Sequence, residues 1–190
     1  MTIFEKLLGM KRLIAGRLFN SALFYLAWIV CIHQATGPHP YFGPILIGFL
    51  LIFHFFYTKD RLLEAILIPS IALFGTIWDS IYIHLGWVEY VGGYTHFSGV
   101  IPLWMTSLWA FYATTINHSL AWVYRKFWFM AILGGLGAAV SYAVAFKLGA
   151  ATLHVSQPFM LTVIGCVWAL VFPFSFYFND WLKHKLSKKN

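Results

Sequence analysis

Apolar residues run along this chain in long blocks separated by short polar ones. Six blocks stand out, at residues 18–36, 42–57, 62–87, 100–124, 127–148 and 158–182. A helix needs roughly 20 mostly apolar residues to cross about 30 Å of hydrocarbon. The pattern therefore predicts an all-α, polytopic membrane helical bundle of six transmembrane helices. The second block is short, and the third is long enough to tilt or kink. Alternation of the strand type is missing, which argues against a transmembrane β-barrel.

The breaks agree with the blocks. Gly37-Pro38-His39-Pro40 cannot continue a helix and predicts a tight turn. Pro44, Pro102 and Pro158 fall near the starts of blocks two, four and six, where a missing N–H costs little. Pro69 and Pro173 fall inside blocks and predict kinks. The longest polar stretch, 89–99, contains Gly92-Gly93-Tyr94. With no tandem repeat and no long linker, residues 1–190 read as a single integral membrane domain. Residues 183–190 form a basic tail. Ahead of the first span, Ile3, Phe4, Leu7, Leu8 and Ile14 recur at helical spacing with Lys6, Lys11 and Arg12 between them. That suits a cytoplasmic interfacial segment at 1–17 lying on anionic lipid, or equally a frayed tail. Residues 33–36 lack a small-x-small cleavage site, so the first span is expected to stay as an anchor.

Composition sharpens the class. Charged residues are 10% of the 190, hydrophobic ones 61% and aromatics 20%, against roughly 25% charged and about 45–50% apolar in soluble domains. The mean hydropathy is +0.75. A water-facing surface cannot be coated with so few charges, so a soluble domain, intrinsic disorder and a disulfide-rich secreted module are excluded. The net charge of +7 does not mark a nucleic-acid partner, because the basic residues form no folded face. Twelve of the 13 sit in the N-terminal segment (Lys6, Lys11, Arg12, Arg17), the second connection (Lys59, Arg61), the fourth (Arg125, Lys126) and the tail (Lys183, Lys185, Lys188, Lys189). Only Lys147 falls on the other side. The positive-inside rule then puts both termini in the cytoplasm, with the bilayer as the main partner. Cys31 and Cys166 are lone thiols in separate blocks and carry no metal-ligand spacing.

Ionisable groups inside spans are costly, about 2.5–3.5 kcal/mol for a central Asp on insertion scales, and are functional candidates by default. Asp79 leads them, with Ser80 beside it. Helical spacing puts Ala72, Gly75, Asp79, Tyr82 and Gly86 on one stripe, with Glu64 a little off it, so Asp79 is expected to face protein or trapped water. Such a carboxylate serves as a proton acceptor or ligand-binding group, or it pins a neighbouring helix. In the fourth block, Asn117 shares a small-residue face with Thr106, Ala110, Thr114 and Ala121, while His118 points about 100° away. An imidazole suits proton transfer or cofactor ligation; the alternative for both is an interhelical hydrogen bond. The candidate catalytic residues are therefore Asp79, Ser80, His118 and Asn117.

These groups sort by depth into an inner layer (Asn20, His54, Glu64, Asn117, His118, Asp180) and an outer one (His33, Asp79, Ser80, His84, His96, His154, Lys147). Helical rise separates Asp79 from Asn117 and His118 by about 15 Å, so they are not expected to share a proton. Pairing His54 with His118, or His33 with His84, would in principle ligate haem. No helix carries two His residues spaced to serve both layers. The Glu-x-x-His pairs of di-iron sites are missing. No metal ligand and no cofactor-binding residue is assigned. Ser98-Gly99 lies at a loop edge and lacks the context of an intramembrane serine protease. Gly134, Gly135, Gly137, Ala138 and Ser141 predict a close helix contact.

Gly75-Thr-Ile-Trp-Asp-Ser80, Pro102-Leu-Trp-Met105, Leu108-Trp109 and Asn117-His-Ser-Leu-Ala-Trp122 together resemble an uncharacterised family of small bacterial inner-membrane proteins, a domain of unknown function. The likeness spans nearly the whole chain. It implies a Gram-negative inner-membrane location and no established activity, and it supplies no catalytic residues. Members are similar in lying near genes for cyclopropane-fatty-acid-synthase-like methyltransferases and flavin-dependent oxidoreductases. The resemblance thus implies membrane-lipid modification or oxidative-stress adaptation, with lipid-modifying enzymes as partners. Three expectations follow. An accessory protein or enzyme acting on lipid predicts a lipid-sized cavity near Asp79 or His118. A proton-coupled transporter predicts internal symmetry and a broken helix, and no inverted repeat is visible. A scaffold subunit predicts buried partners for Asp79 and Asn117 with no cavity beside them.

Overall fold

The computed structural model describes residues 3–92 and 99–188, leaving aside the side chains of residues 3–13 and 15. His96 and Ser98 lie outside the described residues, as do the side chains of the N-terminal amphipathic pattern up to residue 13. The described residues form six α-helices: α1 (Ile3–Ala35), α2 (Phe42–Tyr57), α3 (Arg61–His84), α4 (Leu103–Ile116), α5 (Phe127–Lys147) and α6 (Gln157–Ser187). Four of them, α1 from Gly16, α3, α5 and α6, are long and apolar enough to cross a membrane. At 1.5 Å per residue α2 and α4 are shorter than a bilayer core, about 24 and 21 Å. Large apolar side chains cover the outside, for example Ile132, Leu136 and Val140 at four-residue spacing on α5. An apolar face of that extent belongs in lipid or against another protein.

Three boundaries differ from the sequence expectation. The first helix runs without a break from Ile3 to Ala35, so residues 3–17 are continuous with the first span. The sixth continues to Ser187, which makes the basic tail largely its last turns. The fourth stops at Ile116 instead of running to residue 124. Near its end the hydroxyls of Thr114 and Thr115 donate to the carbonyls of Phe111 and Tyr112 three residues back. Such local bonds compete with the helical ladder. Asn117 then closes the helix, and the chain turns into a short 3₁₀ segment at Ala121–Val123.

α4 is the centre of the fold. Trp104, Phe111, Ala113 and Ile116 are all nearly inaccessible, and a helix apolar all round belongs inside. It packs on α3, α1 and α2 and touches α6, whereas α5 packs chiefly on α6. The α5–α6 contact is a glycine seam. A Cβ on Gly135 would stand 2.8 Å from the Gly165 carbonyl oxygen, and one on Gly134 would run into Phe172.

Two three-residue strands, β1 (Val88–Tyr90) and β2 (Ala151–Leu153), pair antiparallel with Glu89 opposite Thr152. Val91 N–H to Ala150 O and His154 N–H to Trp87 O extend the ladder. The strands are too short to leave a period in the sequence. They join the loop after α3 to the α5–α6 connection.

Candidate functional site

Asp79 is 1% exposed, on the α3 stripe that the helical spacing predicts. Its Oδ2 accepts two hydrogen bonds, from Trp109 Nε1 of α4 at 2.7 Å and from Tyr142 Oη of α5 at 2.9 Å. Gly75, one turn earlier, leaves room for the Trp109 indole, since a Cβ there would overlap the ring atoms Cγ, Cδ2 and Cε2. On its other side that indole stacks on Trp168 of α6, with centroids 4.6 Å apart and planes 16° apart. Gly75 thus admits the ring and Asp79 binds its N–H. Ser80 faces elsewhere. Its hydroxyl donates to Thr76 O at 2.6 Å and accepts the Ile101 N–H at 3.1 Å, tying the start of α4 to α3.

Trp109 and Tyr142 also line a cavity of about 250 Å³ bounded by α1, α4, α5 and α6. Its α4 wall runs from Trp104 to Thr115, about 16 Å by helical rise. Tyr90, Ala150 and Ala151 of the sheet region stand at one end, and Ser119 and Leu120 of the turn after α4 at the other. The lining is mostly aromatic and small residues. Tyr25 of α1 and Gly137 of α5 line it and are also exposed on the outer surface, so the cavity opens sideways between these helices.

A second polar cluster lies around Glu64, also 1% exposed. Three elements build it. His54 comes from the last turn of α2, Glu64 from the first turn of α3, and His118 from the turn after α4. Helix dipoles favour a carboxylate at the α3 start. His54 Nε2 stands 3.5 Å from Glu64 Oε2, and His118 Nε2 stands 3.9 Å from Oε1. Asn117 Nδ2 donates to Glu64 Oε1 at 3.0 Å, and the Asn117 and Asn179 amides exchange bonds of 3.0 and 2.9 Å. Lys183 Nζ donates to Asn117 Oδ1 at 2.8 Å. Burial first, and then neighbouring His54, pushes the His118 imidazole below its usual range, against the pull of Glu64.

Of the sequence-chosen residues, Asp79 and Ser80 are neighbours with separate partners, while Asn117 and His118 meet at Glu64. The wheel that set those two about 100° apart does not apply, because both follow the helix end. Of the inner layer, His54, Glu64, Asn117 and His118 meet and Asn179 joins them, whereas Asn20 accepts the Ser119 N–H at 3.4 Å and Asp180 faces His184 near the surface at 3.8 Å. The haem pairing of His54 with His118 does not fit. The rings stand 5.0 Å apart and nearly perpendicular, with Glu64 against both. Trp109, Tyr142, Asn179 and Lys183 are additions. Only tertiary contact identifies them, although Trp109 falls within the quoted motifs.

A family model described as "Protein of unknown function (DUF2878)" matches residues 17–174. The chain belongs to this family. No curated protein and no solved structure matches it. In this DUF2878 protein the matched span holds Asp79, Trp109 and Tyr142 as well as His54, Glu64, Asn117 and His118. Asn179 and Lys183, which brace the second cluster from α6, lie beyond it.

Proposed function

We propose that this DUF2878 protein holds the apolar chain of a lipid in the α1/α4/α5/α6 cavity, as an accessory protein or enzyme of membrane-lipid modification or oxidative-stress adaptation. Its setting in this reading is the bacterial inner membrane, with both termini in the cytoplasm. The carrying observation is the cavity itself, elongated along α4, lined by aromatic and small side chains and open sideways where lipid would lie. Concave, mostly apolar sites with a few convergent polar groups are the usual form of ligand pockets. Trp109 and Tyr142 of its wall are fixed in place by their bonds to Asp79. A purely structural role for Asp79 would require the buried partners but not the cavity.

The test is lipid retained by the purified protein. Gly137 lines the cavity where it is exposed, and a Cβ there meets nothing within 4 Å, so Gly137→Phe adds bulk at the cavity mouth without a backbone clash. Mass spectrometry of extracts should find a lipid species enriched over the bulk membrane in wild type and depleted in Gly137→Phe. Equal enrichment in both, or none in wild type, refutes the proposal.

A further inference from the structure

Three polar atoms in the Glu64 cluster are buried and have no hydrogen-bond partner: His54 Nε2, Glu64 Oε2 and His118 Nε2. A bond left unmade on such an atom costs about 1–3 kcal/mol, and all three belong to side chains that meet at the Glu64 carboxylate. The His–Glu separations of 3.5 and 3.9 Å exceed the 2.7–3.2 Å of N–H···O bonds. One ligand atom from each of the three residues can be chosen so that all lie within 4.8 Å of one another. Ligands at about 2.0–2.1 Å from a tetrahedral ion stand roughly 3.4 Å apart. The His54–Oε2 gap of 3.5 Å already matches that spacing, while the His118 imidazole, nearest to Oε1 at 3.9 Å, must turn toward Oε2 to complete the set.

We propose that His54, Glu64 and His118 bind one divalent first-row transition-metal ion. Two imidazole nitrogens and one carboxylate oxygen are the donor set for zinc or iron(II), and no thiolate is present to select a softer ion. Three protein ligands leave at least one position open for water or an exogenous donor. The surrounding groups fit the assignment. Asn117 holds Glu64 by Oε1 and leaves Oε2 free to bind the ion, while Asn179 and Lys183 fix the Asn117 amide in turn. Partners of this kind orient ligating carboxylates and contribute about 10–100-fold in affinity. The three ligands are not in the cavity wall, but Thr115, Ser119 and Leu120, on either side of His118, are. The site does not depend on lipid occupying the cavity.

The test uses the full-length, tag-free protein in detergent, stripped with chelator and titrated separately with Zn²⁺, Fe²⁺ (anaerobically) and Co²⁺. One ion per chain is expected, with Co²⁺ giving visible ligand-field absorption. His54→Ala, Glu64→Gln and His118→Ala should each lose more than about 100-fold in affinity, and Asn117→Ala about 10–100-fold. Metal should raise the melting temperature of wild type and leave the ligand variants unmoved. Should Glu64→Gln fail to fold, His118→Ala carries the comparison, since that side chain is 37% exposed. No stoichiometric ion, or an ion bound as tightly by folded His54→Ala and His118→Ala, overturns the proposal. A water molecule bridging the three atoms would give the first of these results.

Discussion

Replacing Gly75 with alanine tests the link between α3 and the aromatic wall of the cavity. A methyl group there would fall well inside the roughly 3.5 Å contact minimum for three inner atoms of the Trp109 indole. These are not the far end of the side chain, so a small rotation brings no relief. Trp168 is stacked on the same indole and limits its escape, so the ring must leave its place. It then loses its bond to Asp79, worth about 1.5–3 kcal/mol for a charged acceptor. Overpacking strain adds about 1–3 kcal/mol, and the better helix propensity of alanine offsets about 1. The net expectation is a loss of about 1.5–5 kcal/mol, read by circular dichroism as SDS is titrated into detergent micelles. The decisive comparison is a double-mutant cycle. In a Trp109→Ala background the same change should be neutral or stabilising by up to about 1 kcal/mol. An equal penalty in both backgrounds would mean that the indole does not rest on Gly75.

Two further predictions use the same assay. Asp79→Leu leaves the buried donors of Trp109 and Tyr142 unpaired and should cost about 1–3 kcal/mol for each, whereas Asp79→Asn keeps an acceptor oxygen and should cost clearly less. Along α5, Gly134→Ala meets Phe172 and, at 2.8 Å, the Trp168 carbonyl oxygen, so it should destabilise; Gly137→Ala should stabilise by up to about 1 kcal/mol, and the opposite order would contradict the α5–α6 seam.

The sequence was most legible where a helix continues unbroken. The Ala72–Gly75–Asp79–Tyr82 stripe on α3 is a 3.6-residue period, and the buried positions of Gly75, Asp79 and Tyr82 obey it. It failed where the period was carried past a helix end. The apolar stretch 100–124 looks continuous, yet Asn117, His118 and Ser119 interrupt it, and Asn is a residue that closes helices. A hydropathy window does not register that break, so the directions inferred for Asn117 and His118 were not those of the fold. Position along the helices did survive, because it depends on distance along the chain more than on rotation. That is why His54, Glu64 and His118 could be grouped into one layer. Their convergence within a few ångströms depends on how α2, α3 and α4 pack, and no single-helix period encodes that. Tyr142 carried no signal either, since an aromatic in an apolar helix is ordinary until its hydroxyl finds Asp79.

The small β1–β2 sheet bears on how the chain assembles. About 60 residues lie between Tyr90 and its partner Ala151, and the intervening segment includes all of α4 and α5. Closing so long a loop carries an entropy cost before pairing offsets it, and synthesis delivers the N-terminal portion first. The sheet therefore forms late, after α5 has been made and brought back beside α3. Tyr90, Ala150 and Ala151 wall one end of the cavity, and Trp168 and Phe172 of α6 stand in its side, so a nascent chain ending before β2 lacks both. The cavity takes its shape only once α6 has been made and the strands have paired across the two halves of the chain.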